Sequence, residues 1–145
     1  MGTAKGVANY IINSPIEVDN LKLQKLVYYS QAVHLVLNDK VPLFEEEIEA
    51  WQYGPVVPSL YQCYKKYGLD KIRRPQNKPK ERLTAKEIES IDLVLDFYGN
   101  MSGVELIGRT HQESPWKDVY NPFDKHIIIS KDSIYKYYKE NLKIE

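Results

Sequence analysis

The sequence predicts a mostly α-helical single domain over residues 1–145, built around a central hydrophobic helix and completed by a short β ribbon. Three observations carry this. Residues 21 to 38 place Leu21, Leu23, Leu26, Val27, Val33, Leu35, Val36 and Leu37 on nearly every side of a helix, the pattern of one surrounded by other elements. Thr84-Ala-Lys-Glu87 and Ser102-Gly-Val-Glu105 are capping boxes, each marking a helix start. A chain of 145 residues is also long enough to bury about two-thirds of its unfolded surface in one core, with no metal or disulfide required.

The elements follow in order. Thr3 caps a first helix carrying Val7, Ala8, Ile11 and Ile12, and Ser14-Pro15 ends it. Asn20 is the expected cap of the central helix, which runs to the turn Asp39-Lys-Val-Pro42. Ile48, Ala50 and Gln52 alternate with Glu47, Glu49 and Trp51, as in a short extended stretch, before Tyr53-Gly-Pro-Val redirects the chain. Pro58 suits the first turn of a third helix, aromatic on one face through Tyr61, Tyr64 and Tyr67 and stopped by Gly68. Residues 69 to 83 hold Pro75, Pro79, Asn77 and a run of basic side chains, and read as a mobile surface loop. After it come the helix opened by Thr84, carrying Ile88, Ile91, Val94 and Leu95 and closed by Gly99-Asn100, and the shorter one opened by Ser102. Ile127, Ile128 and Ile129 are expected to pair with residues 47 to 52, and Ser130 or Asp132 caps a last helix bearing Ile134, Tyr137, Tyr138 and Leu142.

Composition excludes several classes. The single cysteine, Cys63, permits no internal disulfide and no cysteine-rich zinc site, which fits a reducing compartment, and is read as a small packing residue. No apolar run approaches the length of a membrane span, and the start Met-Gly-Thr-Ala-Lys lacks a signal peptide's apolar core, so a cytoplasmic location is expected. Net charge is zero but unevenly placed: residues 65 to 86 hold nine Lys or Arg against Asp70 and Glu81, while Glu45, Glu46, Glu47 and Glu49 form an acidic cluster. That balance argues against general nucleic-acid binding. Twelve tyrosines against three phenylalanines give an aromatic inventory that carries hydroxyls, suited to wet interfaces or to a core with hydrogen-bond partners.

The residues that invite a chemical reading are outweighed by plainer ones. His111 and Glu113 lie two apart, whereas a helical metal pair needs three or four positions, so Thr110 and His111 are read as satisfying the helix end while Pro115 fixes the exit and Trp116 packs back. His34 follows Ser30 by four residues, but no nucleophile elbow or orienting acid accompanies them, and a satisfied core histidine is expected. The acidic cluster is a candidate magnesium site; a solvated edge that steers a basic partner suits it better. The basic loop lacks the interleaved aromatics that single strands stack on. No phosphate loop, dinucleotide fingerprint or zinc spacing implies a cofactor. The alternatives left open are a small metal-dependent hydrolase or nuclease using His111, Glu113 and the acidic cluster, and a DNA-binding regulator using the basic loop.

Trp51-Gln-Tyr-Gly-Pro-Val-Val-Pro58 concentrates Trp51, Tyr53, Pro55, Pro58 and Tyr61 on a backbone stiffened by two prolines, which serves either a core corner or an interface anchor. Together with Leu23-Gln-Lys-Leu26 and Thr110-His-Gln-Glu-Ser-Pro-Trp116, in this order, it resembles the Panacea-domain family, whose SocA-like members act as antitoxins in bacterial, phage and mobile-element loci. The likeness runs from about Thr3 to about Tyr120. It implies an antitoxin rather than an enzyme. Such a protein neutralises a cognate protein toxin by direct binding, with delivery to a cytosolic protease as one route. The density of aromatic anchors beside one-sided charge makes Trp51, Tyr53, Gly54, Pro55, Tyr61, His111 and Trp116 the expected partner-binding residues. No specific nucleic acid and no membrane is implied as a partner.

Overall fold

The computed structural model describes residues 1–74 and 82–142. Among these, seven α-helices surround or flank one another with a small sheet at one corner. In chain order they are α1 (Ala4–Ile12), α2 (Asn20–Leu37), β1 (Ile48–Trp51), β2 (Gly54–Val56), α3 (Pro58–Tyr64), α4 (Ala85–Tyr98), α5 (Gly103–Gln112), α6 (Ser114–Lys117), β3 (Ile128–Ile129) and α7 (Lys131–Asn141), with a single 3-10 turn at Lys65–Tyr67 after α3.

The expected central helix is α2, which packs against α1, α3, α4, α5, α7 and β2. Every residue from Lys22 to Leu35 is buried, and only its last turn emerges, with Leu37 half exposed at 50%. A helix apolar on one stripe alone could not do this. Its polar positions are buried too, and each needs a partner. Its cap is Asp19, not Asn20: the Asp19 carboxylate accepts from the Lys22 backbone N–H at 2.8 Å, while Asn20 is already the first helical residue and its side chain is used elsewhere.

The other caps fall where the sequence puts them. Thr3 accepts from Gly6, Thr84 and Ser102 form complete capping boxes with Glu87 and Glu105, and Ser130 rather than Asp132 caps α7. Long-range carboxylates reinforce the first helix. Glu46 accepts from the Ala4 N–H at 3.0 Å and Glu87 from the Gly2 N–H at 2.8 Å, placing negative charge at the positive end of α1.

The sheet is antiparallel throughout, in the order β2-β1-β3. Ile48 and Ala50 face the core and Glu49 and Trp51 face outward, as their alternation predicts. The isoleucine run does pair with β1, with Ile129 opposite Ile48 and a bond from the Ala50 N–H to the Ile127 carbonyl at 2.8 Å.

Two expectations change. Cys63 is exposed on α3, not packed. Part of the stretch read as a surface loop is docked: Ile72 is 5% exposed and its N–H donates to the Val18 carbonyl at 2.8 Å, and the Arg74 guanidinium donates to the Ser14 carbonyl at 2.5 Å. Ile72 joins the hydrophobic core, and the burial of its apolar side chain overrides the polar setting around it. The prolines at 75 and 79, on which the mobile-loop expectation rests, lie outside the described residues.

Candidate functional site

The three segments that carry the family resemblance meet at one corner, and the polar edge of α2 assembles it. Asn20 and Gln24, one helical turn apart, join through a 3.0 Å bond from the Gln24 amide to Asn20 Oδ1. Their remaining groups reach the 51–61 segment: Asn20 donates to the Tyr61 carbonyl at 3.1 Å, and Gln24 Oε1 accepts from the Val57 N–H at 3.0 Å. Lys25 Nζ donates to the Pro55 carbonyl at 3.0 Å. Leu23 and Leu26 between them fill the core. The Leu23-Gln24-Lys25-Leu26 run therefore alternates core filling with backbone recognition of β2.

Lys25 is wholly buried, and burial lowers its pKa to about 7, with Asp19 pulling weakly the other way. Gly54 makes this approach possible. It sits at φ +105°, and a Cβ there would lie 2.6 Å from Lys25 Cε and 2.8 Å from Thr110 Oγ1.

The third segment closes the corner from above. Trp116 is 9% exposed and its indole N–H donates to the Trp51 carbonyl at 2.7 Å. The His111 ring stacks on Trp116 at 3.9 Å and 11°, and Trp116 stacks in turn on Tyr120 at 4.6 Å and 14°. Desolvation lowers the His111 pKa, while a hydrogen bond with the Gln52 backbone opposes that and Lys25 adds to it. The neutral imidazole thus acts as a flat spacer between α5 and the hairpin turn. Trp51 is half-buried, packs edge-on against Tyr61 at 5.1 Å, and donates its indole N–H to Glu49 at 3.0 Å.

What holds the third segment in place is Glu113, at the break between α5 and α6. Its Oε1 accepts from the hydroxyls of Tyr29 and Tyr138, both at 2.7 Å, and Tyr138 contacts the Tyr28 hydroxyl at 3.0 Å. Burial raises the Glu113 pKa, while the two tyrosine hydroxyls and Arg109 pull it back down. This cage ties the α5–α6 break to α2 and α7, so Glu113 serves packing here. Thr110 does not serve a free group at the helix end, the role the sequence suggested: its hydroxyl donates to the Ile107 carbonyl, three residues back inside α5, at 2.8 Å. His34 bonds Ser90 at 2.8 Å rather than Ser30, whose hydroxyl donates to the Leu26 carbonyl.

Of the partner-binding residues expected from the sequence, Tyr53 is 55% exposed, Trp51, Tyr61 and His111 are half-buried, and Gly54, Pro55 and Trp116 are buried beneath them. The acidic cluster is dispersed into separate tasks. Glu46 caps α1, Glu47 faces Lys131 at 3.8 Å, and Glu49 holds Trp51 and faces His126 at 3.4 Å, leaving Glu45 and Glu47 as its exposed members. His111 and Glu113 are turned to different neighbours, an indole and two phenols.

This architecture is a small helical domain that displays an aromatic corner. Residues 23–117 match the family described as Antitoxin SocA-like, Panacea domain. Antitoxin SocA of Caulobacter vibrioides (strain NA1000 / CB15N) is 32% identical over 134 residues, covering 81% of this chain and 70% of that protein. The chain belongs to the SocA-like Panacea-domain family, and an antitoxin role follows from that membership. No solved structure shows a significant match. Among the described residues no helix is long and apolar enough to cross a membrane.

Proposed function

We propose that this chain is an antitoxin that neutralises a cognate protein toxin by gripping it with the aromatic corner around Trp51, Tyr53 and Tyr61. The observation that carries this reading is the convergence of the three family segments, far apart in sequence, on a single corner whose interior is locked by backbone hydrogen bonds while Tyr53 stands 55% exposed at its rim. A rigid aromatic surface of this kind binds protein at low entropic cost. His111 and Trp116 act from behind it as support, and Gly54 and Pro55 set its shape. The exposed carboxylates of Glu45 and Glu47 favour a toxin with a basic face.

The test is to express the product of the adjacent open reading frame in bacteria with and without this chain, then to measure the purified pair by calorimetry. Growth arrest relieved by co-expression, with direct binding, supports the reading. Tyr53→Ala, whose ring is free of core contacts that would unfold it, is expected to weaken binding by about 2 kcal/mol, near thirtyfold. A neighbouring product that is harmless alone, or a toxin relieved without any contact between the two proteins, refutes it.

A further inference from the structure

Glu49 and Trp51 lie two residues apart on β1, so their side chains stand together on the outward face of the sheet. The Trp51 indole N–H donates to Glu49 Oε1 at 3.0 Å, which fixes both. The third family segment brings Tyr120 up beside them: its N–H donates to the Trp116 carbonyl at 2.9 Å, its ring stacks on Trp116, and Trp116 is bonded to the Trp51 carbonyl. Glu49, Trp51, Tyr120, Asp124, Lys125 and His126 line an open cavity of about 430 Å³. Its walls are therefore held by main-chain bonds before any partner arrives.

The chemistry of this cavity selects a cation. Trp51 and Tyr120 are aromatic walls, whose ring faces carry the negative end of a quadrupole. Glu49 supplies a carboxylate whose side chain is only 13% exposed. A carboxylate so withdrawn from water needs strong partners, and this one is short of them. Oε1 takes a neutral indole N–H, and no hydrogen bond to Oε2 is found among the described residues. The one basic group in ion-pair range among those residues is the His126 imidazole, which is 81% exposed and stands off at 3.4 Å, beyond the roughly 2.7–2.9 Å of a charge-assisted hydrogen bond. At the exposed rim Asp124 offsets Lys125, so Glu49 sets the sign within. A metal ion does not fit, because among the described residues no three His, Cys, Asp or Glu side chains are grouped to hold one. A guanidinium suits this lining better than an ammonium: it is planar, stacks on aromatic faces and presents a fork of donors to a carboxylate.

We infer that this cavity receives an arginine side chain of the toxin, held by the aromatic walls and paired with Glu49. This names an anchor of the proposed toxin surface and rests on the antitoxin reading. The first test uses the chain alone. Nα-acetyl-arginine methylamide is titrated in while the Trp51 indole N–H is followed by NMR, with the citrulline analogue, similar in shape and uncharged, as control. The arginine probe is expected to shift that resonance saturably at millimolar concentration, and the citrulline probe to leave it in place. The second test uses the toxin identified by the co-expression assay. Glu49→Gln keeps an oxygen for the Trp51 indole and removes the charge. It is expected to keep the wild-type circular dichroism spectrum and to weaken toxin binding about tenfold or more, through faster dissociation. Glu89→Gln, the same charge change at an exposed position of α4, is expected to stay within about twofold of wild type. An unmoved Trp51 resonance, a citrulline probe that shifts it equally, or a folded Glu49→Gln variant no weaker than Glu89→Gln each overturns the inference, while toxin binding by the wild type leaves the antitoxin reading intact. The titration needs neither variant nor toxin, so it decides the matter even if Glu49→Gln does not fold or no toxin binds.

Discussion

Two residues at the base of the corner, Gly54 and Lys25, are placed so that each constrains the other. A methyl group at Gly54 meets the Lys25 stem and the Thr110 hydroxyl and must adopt a positive φ besides. Gly54→Ala is expected to cost about 2–4 kcal/mol, read as a lower urea midpoint with an unchanged slope. Lys25 makes a pH prediction. Its folded pKa of about 7 lies below lysine's ordinary 10.5, so between these the unfolded chain binds more protons and stability rises with pH. The slope approaches but does not exceed about 1.4 kcal/mol per pH unit. Urea unfolding at pH 7, 8 and 9 checks it. Lys25→Met removes the buried cation and is expected to flatten that dependence; a variant with the wild-type slope assigns the effect to other groups.

At the scale of elements, the first helix depends on a carboxylate borrowed from elsewhere. Glu46→Gln is expected to destabilise the domain by about 1 kcal/mol through the lost charge at the α1 N-terminus, seen in thermal unfolding. For that reason Glu46 is a poor probe of electrostatic steering. The capping boxes, Pro58 at the head of α3, and Gly68 after its 3-10 turn were legible in the sequence because each signal spans only a few residues. The shift of one cap from Asn20 to Asp19 is the ordinary ambiguity of two adjacent capping side chains, settled by Asn20 being needed at the Tyr61 carbonyl. Nothing local announced the Glu113 cage. Its members stand at positions 28, 29, 113 and 138, and the excess of tyrosine over phenylalanine was its one trace in the sequence. Ile72 was hidden likewise, an apolar residue among charges whose burial depends on tertiary packing and on the distant Val18 carbonyl.

For the whole molecule, zero net charge conceals an exposed acidic pair just ahead of β1, at Glu45 and Glu47. The double variant Glu45→Lys with Glu47→Lys is expected to slow toxin association several-fold at low salt, by about tenfold at most, with dissociation little changed and the difference shrinking as salt rises. Stopped-flow kinetics at two ionic strengths reads this directly; an effect confined to dissociation would place those side chains inside the contact instead. The corner is fastened through main-chain groups, the carbonyls of Trp51, Pro55 and Tyr61 and the N–H of Val57, while Gln52, Tyr53, Ser59 and Gln62 look outward. A scaffold secured this way leaves its outward letters free to be rewritten. A library randomised at those four positions should retain many folded members, and selection for survival against an unrelated toxin would draw new specificities from a frame that need not change.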